Sequence, residues 1–128
     1  MAATKVIDTS AVAALLFGEP EGEQAVAFME NYDLVAPPLL EFELANVCLI
    51  KCRRHPAQRD KLLTAFNLRK NLGIREIGVN HGEVVLLAEK TGLTAYDASY
   101  LWLARVLDAE IVTFDRKLRE AAAMAGMR

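Results

Sequence analysis

The longest stretch of this 128-residue chain without a charged side chain is ten residues, Thr9 to Gly18. A membrane-spanning helix needs about 20 apolar residues, so none is expected. The start, Met1 to Asp8, lacks the basic-then-apolar order of an export signal, which points to a cytoplasmic protein. Cysteine is scarce: Cys48 and Cys52 cannot make a disulfide scaffold, and with His55 they supply three metal-type ligands on one helical face but no fourth. Buried free thiols in a reducing compartment are the simpler reading. The nine aromatic residues offer no evident platform for stacking bases. No Gly-x-Gly-x-x-Gly follows the first strand, which argues against a dinucleotide-binding fold. No repeat, low-complexity tract or linker interrupts the chain.

What is present fits one globular domain over residues 1–128. Hydrophobic residues make up 53% and charged residues 25%, which excludes intrinsic disorder. The net charge of −2 hides a strong asymmetry. Residues 1–50 hold one basic residue, Lys5, against eight acidic ones. Residues 51–75 hold eight basic residues against Asp60 alone, and residues 76–128 hold six basic against eight acidic. Such segregation is compatible with a solvated basic hairpin or with a polyanionic partner.

Short apolar strands alternate with helical patterns, which predicts an α/β fold around a parallel sheet. Strands are expected at Lys5–Ile7, Leu34–Ala36, Ile74–Ile77 and Glu110–Phe114. Helices are expected from Thr9 or Ser10 to Gly18, over about 20–32 and 39–54, through Leu62, Leu63, Phe66 and Leu68 to an end near Asn71-Leu72-Gly73, over 81–90 and 96–108, and from Asp115 to Gly126. His55-Pro56 should break the third helix and Thr91-Gly92 should end the fifth.

Several carboxylates fit this pattern poorly. Asp8 directly follows the first strand and Asp115 the last, where parallel sheets place ligand sites. Both also read as ordinary helix N-caps. Asp97 shares its helical stripe with Tyr100, Leu101, Ala104 and Leu107, and a carboxylate there is costly unless it is paired, capping or binding a cation. Glu41 and Glu43 both border apolar surface, and periodicity does not choose between them. Asp8, one of these glutamates, Asp97 and Asp115 come from four helix starts. Gathered together they would repel one another without a cation, and hard oxygen ligands suit Mg2+ or Mn2+.

These residues carry a resemblance that covers nearly the whole chain. Val6-Ile7-Asp8-Thr9-Ser10-Ala11, Pro37-Pro38-Leu39-Leu40-Glu41-Phe42-Glu43-Leu44-Ala45-Asn46, Thr94-Ala95-Tyr96-Asp97-Ala98-Ser99-Tyr100 and Ile111-Val112-Thr113-Phe114-Asp115-Arg116-Lys117-Leu118 resemble the motifs of PIN-domain ribonucleases, most closely the VapC toxins. The resemblance implies a three-layer α/β/α sandwich with a short parallel sheet of four or five strands and about seven helices. It implies an acidic metal site of Asp8, Glu43, Asp97 and Asp115, with Glu43 chosen because it precedes a Leu-Ala-Asn step. Ser10 and Thr113 match hydroxyl positions that support the carboxylates or a metal-bound water, although both also suit capping and turns. The implied activity is Mg2+- or Mn2+-dependent hydrolysis of RNA, with a small VapB-like antitoxin and a homodimer as partners. Arg53, Arg54 and Arg116 are candidate phosphate contacts within that reading. Relatives often finish with a fifth strand, for which little chain follows Gly126. The rival reading is a Mg2+-binding receiver-like module without hydrolysis, but receivers carry an adjacent acidic pair after the first strand, and here Asp8 stands alone.

Overall fold

A computed structural model of the protein describes residues 2–125. The first strand, β1 (Thr4–Ile7), leads through Asp8 into α1 (Thr9–Leu16), and α2 (Gly22–Met29) returns the chain to β2 (Asp33–Ala36). A long α3 (Leu39–Arg54), α4 (Arg59–Asn67) and β3 (Arg75–Glu76) follow. Then come α5 (His81–Thr91), α6 (Ala95–Leu107), β4 (Glu110–Val112) and α7 (Arg116–Ala125). Two short 3-10 turns, Pro56–Gln58 and Leu68–Leu72, flank α4.

The four strands form one parallel sheet in the order β3-β2-β1-β4. Successive side chains of a strand point to opposite faces. Val6, Ile7, Leu34, Val35 and Ala36 are all buried, so both faces of the sheet are covered by helices and the molecule has three layers. Val12, Leu40, Leu44, Tyr100, Leu103 and Leu118 carry the core from the strands into the helices. The sequence places β4 last, yet it pairs with β1 on the side away from β2. Between β1 and β4 the chain therefore departs in opposite directions, which opens a crevice above their carboxyl ends.

Local chemistry sets the helix ends. Asp8, Asn80 and Thr94 accept hydrogen bonds from the backbone N–H groups of Ala11, Glu83 and Asp97, capping α1, α5 and α6. Pro56 ends α3 because the residue before a proline is pushed out of helical geometry. Gly92, at φ 76°, closes α5 in the left-handed region.

The departures from the sequence expectations have local causes. The second helix stops at Met29, short of Tyr32, because Asn31 takes a left-handed φ of 68° and turns the chain into β2. The helix expected to end near Asn71-Leu72-Gly73 instead stops at Asn67, and a 3-10 turn, Leu68–Leu72, completes it. The third strand shrinks to two exposed residues, although the Ile77 N–H still donates to the Ala36 carbonyl. β4 ends at Val112 because Thr113 and Phe114 turn away to bond Asp8 and Ser10. The end of the last helix near Gly126 and the segment relevant to a fifth strand lie outside the described residues.

α1 and α2 approach closely at Gly22, where an added Cβ would stand 2.9 Å from the Ala14 carbonyl oxygen. Gly22→Ala should therefore cost about 1–3 kcal/mol and lower the melting temperature by several degrees. An unchanged thermal melt would contradict this account of the α1–α2 contact.

Candidate functional site

Asp8 sits at the end of β1, buried at 5% exposure. The ladder reaches it, since its N–H donates to the Val112 carbonyl at 3.2 Å. Its Oδ1 accepts from the Ser10 hydroxyl at 2.7 Å and the Ala11 N–H at 3.1 Å, and its Oδ2 accepts from the Thr113 hydroxyl. Ser10 also accepts the Phe114 N–H at 2.8 Å, and Thr113 accepts the Asp115 N–H at 3.0 Å. These two hydroxyls thus bind the β4–α7 turn to the β1–α1 turn. Burial pushes the Asp8 carboxyl up to about 6, against the lowering effect of the Thr113, Ser10 and Ala11 donors.

Glu43 lies one turn into α3 and faces the same crevice. Its Oε1 accepts from the Thr9 hydroxyl and from the Tyr100 hydroxyl, each at 2.7 Å. Glu41 points elsewhere and pairs with Arg69, whose guanidinium contacts both its oxygens at 3.0–3.1 Å. Asp97 is half-buried in the first turn of α6. Burial, then the negative charges of Asp115 and Glu43, raise its carboxyl above the ordinary range, and Lys117 opposes them. Asp115 caps α7 by accepting the Leu118 N–H at 2.9 Å. Its charge also acts on Asp8.

The four carboxylates are therefore coupled by charge: Asp8 with Asp115, and Asp97 with both Asp115 and Glu43. Among the described residues, no three His, Cys, Asp or Glu side chains form a ready-made metal cage. The donor set suits a hard cation, since it offers only oxygen and carries an unbalanced negative charge. Among the described residues, Asp97 accepts no side-chain or backbone hydrogen bond through its carboxylate.

The chain matches the PIN domain family over residues 5–124. It belongs to the PIN-domain family. This PIN domain is 32% identical over 120 residues to Ribonuclease VapC3 of Pyrobaculum aerophilum, covering 90% of this chain and 92% of that protein. It is 34% identical over 120 residues to Ribonuclease VapC9 of Mycobacterium tuberculosis, covering 90% of this chain and 88% of that protein. In three dimensions it resembles the crystal structure of PAE2754 from Pyrobaculum aerophilum, with a TM-score of 0.77 and 25% identity, over 94% of this chain and 86% of that one.

Other residues singled out in the sequence fall outside the crevice. Cys48 is buried and Cys52 partly so, both as free thiols, and His55 is exposed. Of the basic residues in 51–75, Lys51 pairs with Glu19, Arg69 with Glu41, Arg75 with Asp33 and Arg59 with Asp60. The last of these is exposed and weak. The basic run is thus less free than its charge count suggests, because acidic residues early in the chain fold back onto it. Arg53 and Arg54 are exposed at the end of α3, and Arg116 makes an exposed i,i+4 pair with Glu120.

Sequence reasoning missed Thr9 and Tyr100, which hold Glu43. Tyr100 reads as an apolar member of the Asp97 stripe, and it is 1% exposed, but its hydroxyl reaches the crevice. The available signal is the spacing: Asp97 and Tyr100 lie three apart on one helical face. A cleft of about 660 Å3 runs beside β4, lined by Lys5, Phe28, Arg105, Thr113 and Arg119 among others and by none of the four carboxylates. Lys5 is buried there, donating to the Phe28 carbonyl at 2.9 Å and lying 3.7 Å from the centre of the Tyr32 ring.

The raised Asp8 carboxyl has a defined linkage. Its folded pKa, about 6, exceeds the ordinary 3.8, so the folded state holds this proton more tightly. The resulting destabilisation is absent below about pH 4, grows as pH rises through 6 and reaches about 3 kcal/mol above it. Without divalent cations, lowering the pH from 7.5 to 4 should stabilise wild type relative to Asp8→Asn by about 3 kcal/mol, read as a change in the gap between their melting temperatures. A gap that does not change with pH would overturn this reading.

Proposed function

We propose that this PIN domain is an endoribonuclease that hydrolyses RNA phosphodiester bonds with Mg2+ or Mn2+, acting as the VapC-type toxin of a toxin–antitoxin pair. The observation that supports the reading is that Asp8, Glu43, Asp97 and Asp115 lie near enough for charge to act between them, Asp115 on Asp8 and both Asp115 and Glu43 on Asp97. Relatives bearing the name ribonuclease across nine-tenths of the chain support the substrate class.

Asp8, Glu43, Asp97 and Asp115 would hold the cation. When bound, such a cation lowers the pKa of water and offsets charge at phosphorus and at the leaving oxygen. Ser10 and Thr113 keep Asp8 ionised and fixed by donating to both of its oxygens. Asp115 holds the first turn of α7 through the Leu118 N–H. Neither His55 nor His81 is assigned to proton transfer, since both are exposed residues away from this hydrogen-bonded set. Arg53, Arg54 and Arg116 bind the RNA backbone and make affinity salt-dependent.

The same reading assigns a small VapB-like antitoxin and a second copy of the chain as protein partners, in the cytoplasm. Among the described residues no helix is long and apolar enough to cross a membrane. Of the two apolar segments available for a partner, α1 is used by the core, with Ala11 to Ala14 buried. α3 keeps Phe42, Leu49 and Ile50 exposed, and Phe42 is 77% accessible, so α3 is the candidate face for the second copy.

Cleavage of a mixed RNA pool should require Mg2+ or Mn2+ and stop in EDTA, and Asp97→Asn should slow it roughly a hundredfold or more. Equal rates for the variant and wild type in Mg2+ would overturn the mechanism. Reversing charge at Arg53 and Arg54 should weaken RNA binding and flatten its salt dependence by about 0.7 in log–log slope for each phosphate no longer neutralised. Unchanged affinity at low salt would leave these arginines as solvated surface only.

A further inference from the structure

We infer that Thr9 and Tyr100 are positioning residues that hold Glu43 by one oxygen and present the other to the cation, an inference that rests on the metal-dependent reading above. Three helices meet at this point: Thr9 opens α1, Glu43 lies in α3 and Tyr100 in α6. Both hydroxyls donate to the same atom, Glu43 Oε1, at 2.7 Å, and their own oxygens stand 3.1 Å apart. Each hydroxyl has a single proton. With both protons spent on Oε1, the close approach of the two hydroxyl oxygens is bridged by the carboxylate they share.

One consequence follows from this proton count: it fixes which oxygen is available. Among the described residues, Oε2 accepts no hydrogen bond, whereas Oε1 is saturated from two sides. Glu43 is thereby set to act as a one-oxygen ligand, with its rotation stopped by two separate helices.

Tyr100 can do this because it is buried. At 1% exposure its ring is wedged in the core, so its hydroxyl cannot swing to water. Thr9 is β-branched and sits at a helix start, which restricts its rotamer. The pair therefore differs from an exposed hydrogen-bond network, whose members would reorient at little cost. Outer partners of this kind orient a ligand, and their loss typically costs 10–100-fold in metal affinity or activity.

The arrangement predicts a particular failure for Glu43→Gln. The clamp accepts only a hydrogen-bond acceptor, so the amide would seat its carbonyl oxygen there. The amide nitrogen, which cannot ligate a cation, would then occupy the place of Oε2.

The test is Mn2+ binding to the full-length chain, followed by the paramagnetic signal of free Mn2+, with folding of each variant checked by circular dichroism. Tyr100→Phe removes one hydroxyl and no ring volume, and should weaken Mn2+ binding about three- to tenfold. Thr9→Val combined with Tyr100→Phe should weaken it by about 10–100-fold. Thr9→Ser keeps the donor and should bind Mn2+ more tightly than Thr9→Val. A purely structural role would lower the melting temperature and leave the Mn2+ affinity of the folded protein unchanged. A folded double variant that binds Mn2+ as tightly as wild type overturns this inference alone. Wild-type protein that binds no Mn2+ overturns the metal reading and this inference with it.

Discussion

An anion buried at the end of the first strand organises the rest of the molecule. Asp8 combines two demands that oppose each other. Its backbone and one oxygen are needed to start α1, while its burial penalises the charge that makes it useful. The fold meets this by directing three donors at the carboxylate, and two of them come from elements far apart in sequence, the start of α1 and the turn after β4. Those bonds fix the relative position of the β1 and β4 ends. They thereby place Asp115, and with it the start of α7, beside the crevice.

The second carboxylate is held by a different logic. Asp8 is held by the start of α1 and the turn after β4, whereas Glu43 is held by side chains of α1 and α6 across the core. Asp97 has no such support and bears the cost as a raised carboxyl, driven by burial and by its neighbours' charge. A site assembled in this way stores electrostatic strain in one member and rigidity in the others. A divalent cation would relieve the first and make use of the second, which links the packing of the core to the proposed chemistry. The same economy explains the chain's uneven charge. Part of the acidic excess gathers at the crevice, part neutralises the basic segment through Glu19, Asp33 and Glu41, and Arg53 and Arg54 remain exposed.

Much of this is legible in the sequence because it depends on local rules. α3 runs from Leu39 to Arg54 as its apolar stripe and the following His55-Pro56 indicate. The four strands and their parallel arrangement follow from alternating apolar runs and helices. What stays hidden depends on partners distant in sequence. Nothing local shows that Thr113 leaves β4 to reach Asp8, nor that Arg69 takes Glu41 out of contention as a site residue. Tyr100 reads as core, correctly for its ring, but the position of its hydroxyl is set by the packing of α6 against the sheet and against α5. The choice of Glu43 over Glu41 comes from resemblance, because periodicity cannot see which helix a carboxylate will face.

The central claim is that a carboxylate-held cation activates water against an RNA phosphodiester. The ends of the cleavage fragments test it most directly. Attack by water with departure of the 3′ oxygen leaves 5′-phosphate and 3′-hydroxyl ends, and their formation should depend on the divalent cation. Fragments carrying 2′,3′-cyclic phosphate and 5′-hydroxyl ends, formed equally well in EDTA, would mean that the ribose 2′-hydroxyl is the nucleophile and would contradict the account.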